Sequence, residues 1–365
     1  MKRLIFSITA LASLALCLYS CSVDETPPFL PEWQNRGEYL PKQHSPDEPF
    51  NYSNITKMKG DRFFVQQFIF GAEGTEILLS EDLGRTWNTS LSIPYTANNT
   101  FTTHGETHAW FIIAGDGELP QVHRTDNIGT TWEALDPVDS GLDPRFSPNA
   151  SFFLNDKIGW ASGSDSIASA YKTIYKTTDG GQTWKKKTNG LTQDRFSEFS
   201  AIKFRNKDVG FAGERDGIWR STNAGDLWEK VYTGQEIYYA DIVCTSDKSV
   251  YALGNLLSTD ATVLLHSVDG GDNWTFLKLP AILDNTSANQ LFFVNQAEGY
   301  LLTKDFLLRT KDGGLNWEVD FKVKGDDDGY FLNMAIIPGS GFHQKFMVGI
   351  GRYRYWYYGF PDEKP

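Results

Sequence analysis

With 365 residues, 40% of them hydrophobic and 14% aromatic, the chain is long enough to bury a large core without covalent staples. Its formal charge of -12, or -14 once Lys2 and Arg3 leave with the leader described below, argues against nucleic acid as a partner and against electrostatic attraction to anionic lipid. Three cysteines, Cys17, Cys21 and Cys244, leave no disulfide within a mature chain that has lost the first and had the second modified.

Lys2 and Arg3 precede an apolar run from Leu4 to Leu18 that is too short to span a membrane, so residues 1–20 read as a signal peptide. The run ends in Leu18-Tyr19-Ser20-Cys21, which resembles a bacterial lipobox and implies lipidation of Cys21. Acyl chains contribute about 0.8 kcal/mol per buried methylene, enough in combination to hold a soluble domain on a membrane. Ser22-Val23-Asp24-Glu25 resembles the surface-export signal of Bacteroidota lipoproteins. The expected location is therefore the outer membrane through a lipid anchor, with either leaflet open. Residues 21–50 carry Pro27, Pro28, Pro31, Pro41, Pro46 and Pro49, which favour an extended tether.

From residue 51 to 365 the sequence is organised by one octapeptide that recurs six times and ends in tryptophan, first as Ser80-Glu81-Asp82-Leu83-Gly84-Arg85-Thr86-Trp87. The later copies end at Trp132, Trp184, Trp228, Trp274 and Trp317, and their third position is Asn127, Asp179, Asn223, Asp269 and Asp312. The side-chain oxygen at position three caps turn N–H groups, and glycine at position five supplies the positive φ that such a turn requires. Strand-like flanks, as in Ile218-Trp219-Arg220, make each octapeptide a hairpin tip, with the indole buried between neighbouring units.

A second pair of short strands precedes each tip, as in Ala201–Phe204 and Val209–Gly213, so every unit has four strands. Units of this length and strand count are propeller blades, which leave only short edges unpaired. After Trp317 a further unit lacks the octapeptide, and the segment from Phe50 to Met58 is expected to complete it. The fold expected is all-β, a single seven-bladed β-propeller of four antiparallel strands per blade. Six blades and a C-terminal extension is the alternative.

The octapeptides are Asp-boxes, or BNR repeats. Gly159-Trp160-Ala161 with Gly163, followed by Thr177, Asp179-Gly180-Gly181 and Thr183-Trp184, resembles the photosystem II assembly factor family. That resemblance implies the propeller; it does not choose a function, because sialidases, xyloglucan hydrolases and sortilin-type receptors carry the same boxes.

The boxes occupy one face, so a ligand is expected on the other, built from the turns between strands two and three and from the connections between blades. Arg145 and Arg195 sit in two connections that echo each other, Asp143–Ser147 and Asp194–Ser197, and Arg215 lies in a nearby turn. Three arginines on adjacent blades can hold an anion. Asp143, Asp194, Glu214 and Asp216 can equally absorb them as structural ion pairs, and the sequence leaves both arrangements open. Arg145, Arg195, Arg215, Asp216 and Tyr239 are accordingly the candidate ligand-binding residues.

No catalytic residue is assigned. A sialidase needs an Arg-Ile/Leu-Pro motif, and the nearest text is Ser92-Ile93-Pro94. His104 and His108 have a ligand spacing on a helix but lie about 13 Å apart along a strand. Asp326-Asp327-Asp328 has no spaced oxygen set around it, and no phosphate loop or nucleophile elbow is present. Cys244 lies in an apolar run and reads as a buried, inert thiol. The function expected is a non-catalytic, scaffold-like envelope lipoprotein that binds a protein partner or a surface glycan, with no cofactor or metal. A glycoside hydrolase acting on the same face is the alternative.

Overall fold

The computed structural model describes residues 32–38, 50–57, 62–69, 74–82, 86–94, 98–114, 119–136, 139–165, 171–192, 198–322, 330–337, 345–351 and 354–359, with side chains between residues 62 and 66 and, within those ranges, between 74 and 322. The signal peptide, Cys21, Arg195 and Asp326–Asp328 lie outside the described residues.

Among the described residues the strands pair into seven four-stranded antiparallel sheets. The first six follow chain order, from Phe50–Lys57 through Glu318–Lys322, so each is a simple up-and-down meander. The last joins Tyr330–Ile337, Lys345–Gly351 and Arg354–Gly359 to Glu32–Glu38 as its outer strand.

That outer strand corrects two expectations. Residues 32–38 are not tether but strand, and Phe50–Lys57 is not the closing segment but the innermost strand of the first sheet. The physical reason is that the first sheet needs its own strand one beside Phe63–Ile69, which leaves the earlier segment to pair with the free edge of Arg354–Gly359. Strand one of the last sheet in turn lies against strand one of the first.

Each box ties its own hairpin. In the third sheet, Asp179 Oδ1 accepts from the Thr183 N–H at 2.9 Å and from the Thr177 hydroxyl at 2.8 Å, while Oδ2 accepts from the Thr183 hydroxyl at 2.6 Å. Asp82, Asp269 and Asp312 repeat the pattern with Thr86, Asn273 and Asn316 as donors. In the second sheet the polarity is inverted, Asn127 Nδ2 donating to the Thr131 hydroxyl. In the fourth, Asn223 faces Leu227, which leaves only the backbone bond, from the Leu227 N–H to Oδ1.

Position five is glycine at positive φ, as expected, but position four is also left-handed, which the sequence reading did not anticipate. It is glycine in three boxes, whereas Ile128 has φ 60° and Ala224 has φ 65°. The conformation aims the position-four carbonyl at the preceding sheet. There Trp110 Nε1 donates to Gly180 O at 2.9 Å, Trp160 Nε1 to Ala224 O at 3.2 Å and the Tyr251 hydroxyl to Gly313 O at 2.8 Å.

These bonds complete a joint that recurs between sheets. The same three aromatics lie on strand two of one sheet and stack on the phenylalanine that ends strand one of the next. Trp110 meets Phe153 at 3.7 Å, Trp160 meets Phe204 at 3.5 Å and Tyr251 meets Phe293 at 4.5 Å between centroids. The box indoles Trp184 and Trp228 then close edge-on against Phe153 and Phe204. Aromatic pairs of this kind contribute about 0.5–1.5 kcal/mol each beyond area burial. Trp184 and Trp228 are buried, while Trp132, Trp274 and Trp317 pack half-buried on their clusters. Trp228 Nε1 is the exception in lacking a hydrogen-bond partner.

Candidate functional site

In an up-and-down sheet, strand one begins at the same end as the turn between strands two and three. The box tips, between strands three and four, lie at the opposite end. Two adjoining pockets occupy the first of these ends, where the innermost strands of the second to fifth sheets begin. One, of about 170 Å³, is lined by Glu198, Ser200, Arg215, Ile237, Tyr238 and Leu257. The other, of about 150 Å³, is lined by Asn98, Asn99, Pro148, Asn149, Glu198, Ser200 and Tyr238. Glu198, Ser200 and Tyr238 form their shared wall.

The side chains there are aimed by a recurring irregularity of strand one. A register shift interrupts it at Pro148/Ala150, Phe199/Ala201, Tyr239/Asp241 and Ala288/Gln290, between its start at the pocket-bearing end, here called the mouth, and its end at the aromatic joint. A bulge lets the mouth half and the joint half of one strand follow different alternations. In Ile237–Cys244, Ile237 and Tyr239 are fully buried and Tyr238, between them, is 54% exposed.

Tyr239 is thereby corrected as a candidate: its ring is in the core with Ile237 and Ile242, and its hydroxyl has no hydrogen-bond partner. Burial drives that hydroxyl far above the ordinary phenol range. Tyr238 takes its place at the mouth. Its own hydroxyl is raised as well, first by desolvation and then by the Glu198 carboxylate.

The arginine cluster does not assemble among the described residues. Arg145 is 66% exposed at its side chain, forms an ion pair with Asp143 at 3.1 Å and lines neither pocket. Arg215 does line the larger pocket, but its guanidinium is held by Glu236 at 2.8 Å. Asp216 is bound by Lys230 at 2.6 Å.

Glu214 is held by lysines rather than by an arginine. Lys172 Nζ reaches Oε2 at 2.5 Å with both side chains buried, and Lys230 Nζ reaches Oε1 at 2.9 Å. Trp219 Nε1 donates to the same Oε1 at 2.6 Å. This network joins strand three of the third sheet to strand two of the fourth. A buried lysine next to a 2–3 turn gave no sequence signal, because Lys172 sits in an exposed-looking polar stretch.

His104 and His108 are not 13 Å apart: they are register partners across a hairpin whose turn is Gly105-Glu106-Thr107. His108 Nδ1 lies 2.9 Å from the Thr107 hydroxyl and its ring stacks toward Trp110. Cys244 is a free thiol pushed up to about 11 by burial.

The sequence family described as photosynthesis system II assembly factor YCF48 matches residues 142–242, and over that stretch the chain is similar to it. Among solved structures, YCF48 bound to D1 peptide is similar at a TM-score of 0.61 and 15% identity, over 90% of this chain and 96% of that one. YCF48 from Cyanidioschyzon merolae is similar at a TM-score of 0.60 and 14% identity, over 90% of this chain and 98% of that one. The GH74 xyloglucanase from Xanthomonas campestris is similar at a TM-score of 0.60 and 13% identity, over 92% of this chain and 55% of that one, so the chain spans about half of that enzyme. At these identities the likeness is one of fold. No curated protein matches the chain in sequence.

Proposed function

We propose, for a chain with this YCF48-like stretch and this pair of pockets, that the seven sheets close a seven-bladed propeller whose mouth opposite the Asp-box tips binds a protein partner. The observation that carries the reading is the convergence of strand-one starts from four adjacent sheets on the wall of Glu198, Ser200 and Tyr238. A YCF48 bound to D1 peptide supports a protein ligand for a propeller of this kind. The signal peptide, the lipidation of Cys21 and an outer-membrane location complete the proposal as a non-catalytic envelope lipoprotein.

The likeness to a xyloglucanase keeps glycoside hydrolysis as the second reading. That chemistry needs two carboxyl groups roughly 5–10 Å apart beside the pocket, and among the described lining residues Glu198 is the one carboxylate.

The test is purification of the tagged full-length protein from its own membranes. Tyr238→Ala combined with Leu257→Asp should lose a co-purifying partner that Val268→Asp, on the box face, retains. Equal retention by both would overturn the reading. Release of sugars from plant-wall or sialylated oligosaccharides by the wild-type protein would replace it with the hydrolase. Cys21→Ser should release the protein from the membrane fraction and abolish acyl labelling.

A further inference from the structure

Glu198 is set apart from the other charged groups of the mouth. Arg215 is paired with Glu236 and Asp216 with Lys230, whereas the Glu198 carboxylate has no hydrogen bond or ion pair among the described residues. It stands in the wall shared by both pockets, close enough to Tyr238 for its charge to act on the phenol. Around it are a half-exposed aromatic ring, the Ser200 hydroxyl and the amides of Asn98, Asn99 and Asn149. Asn98 Nδ2 donates to Ser147 Oγ at 2.7 Å, which commits one amide donor within the protein, and Asn99 Oδ1 accepts from Gln66 Nε2 at 2.5 Å, which commits one acceptor.

We propose that this wall is a receptor for one cationic side chain, a lysine or arginine projecting from the protein partner into the space between Glu198 and Tyr238. A carboxylate supplies the charge, an aromatic face adds cation–π attraction, and neutral oxygens complete the shell. Arg215 does not repel such a guest as a free cation would, because Glu236 already neutralises it. Each pocket taken singly, at about 170 and 150 Å³, is smaller than the clefts of roughly 300–1,000 Å³ that hold drug-sized ligands, and suits one projecting side chain. The inference rests on the proposal that the mouth is the partner-binding face, and adds to it the chemistry that is recognised there.

The test uses the full-length protein in detergent with 3-fluorotyrosine at position 238 alone, read by fluorine NMR. The probes are capped Gly-Lys-Gly, Gly-Arg-Gly, Gly-Gln-Gly and Gly-Glu-Gly, with glucosamine as a cationic sugar. The expected result is a saturable shift with the lysine or arginine tripeptide, absent with the glutamine and glutamate peptides, and reduced at least fivefold in affinity by 0.5 M NaCl. Glu198→Gln should reduce it at least tenfold, while Arg145→Gln, outside the pockets, leaves it unchanged. Equal binding of the neutral tripeptide, no binding of the cationic ones, or indifference to Glu198→Gln would overturn the proposal. Saturation by glucosamine alone would overturn it in favour of an amino sugar. Loss of the partner in the Tyr238→Ala/Leu257→Asp co-purification with no tripeptide shift leaves the mouth as the docking face and removes only its cation specificity. Retention of the partner there removes both.

Discussion

Ala224→Gly should stabilise the protein, which is the reverse of what replacing alanine by glycine usually does. Ala224 is the fourth residue of its box and holds φ 65°, where three other boxes place glycine. A left-handed conformation costs an L-residue about 1–2 kcal/mol, while glycine in the unfolded chain adds about 0.4–1 kcal/mol of entropy to be lost. The difference leaves a net gain of about 0.5–1 kcal/mol, which for a domain of this size raises Tm by about 1–2 °C. The carbonyl that accepts from Trp160 Nε1 stays in place, so no contact is given up except that of one methyl. Gly313→Ala is the reciprocal change, with φ 71° and an added Cβ at 3.1 Å from Gln296 O, and should lose a similar amount. Gly180→Ala should lose more, because its Cβ would stand 2.8 Å from Asp156 O. Urea unfolding of the three variants, followed by tryptophan fluorescence, gives the order directly. A destabilised Ala224→Gly with an unchanged m-value would refute the claim that backbone conformation governs this position.

Three further outcomes follow from the joints and from two titrating carboxylates. Trp184→Phe removes an indole N–H that donates to Gly181 O at 3.0 Å, and Trp228→Phe removes one with no partner. An unsatisfied buried donor costs about 1–3 kcal/mol, so Trp228→Phe should be the milder by roughly 1 kcal/mol in chemical denaturation. Asp241 is pushed up to about 6, chiefly by desolvation and against the pull of Lys203. Its folded pKa is raised, so the protonated form adds stability below pH 4 that is lost as pH rises through 6; Asp241→Asn should raise the unfolding free energy at pH 8 by at most about 3 kcal/mol, from two pH units, and leave it unchanged at pH 3.5, as read by urea unfolding at the two pH values. Asp269 is lowered to about 2, chiefly by the Asn273 side chain. Its stabilisation is present above pH 4 and lost toward pH 2, so the destabilisation caused by Asp269→Ala should shrink across that window in acid titration by circular dichroism.

The boxes were readable because each does its work locally. Asp179, Thr177 and Thr183 bond within seven residues, and the requirement for Gly181 is stamped on the sequence. The joint between sheets was half readable: Trp160 and Phe204 are visible as aromatics, but nothing in the text pairs residues 44 apart. The left-handed fourth position was hidden because Ile128 and Ala224 adopt it without the glycine that would announce it.

At the mouth the outward-facing tyrosine is Tyr238, one residue before the Tyr239 that the sequence suggests. Ile237-Tyr238-Tyr239 has no polar alternation, and which tyrosine faces outward is set by the register of the mouth half of the strand, before the shift at Tyr239/Asp241. The arginines stand out in the sequence as charged residues in repeated contexts, yet Arg145 and Arg215 have carboxylate neighbours that satisfy them. Glu198 carries no sequence signal of its own, because it follows the Asp194–Ser197 segment directly and no repeated pattern sets it apart. The outer strand Glu32–Glu38 lies among prolines and charges, and its place is decided by the edge it pairs with rather than by its own composition.

The central claim, that the mouth opposite the box tips is where a partner docks, is tested most directly by a photo-crosslinking phenylalanine analogue placed at position 238 or at position 268 of the full-length protein in its own membranes. The account predicts a discrete protein adduct from position 238, diminished by Leu257→Asp, and none from position 268. An adduct from position 268 with none from position 238 would contradict it and move the binding face to the Asp-box tips.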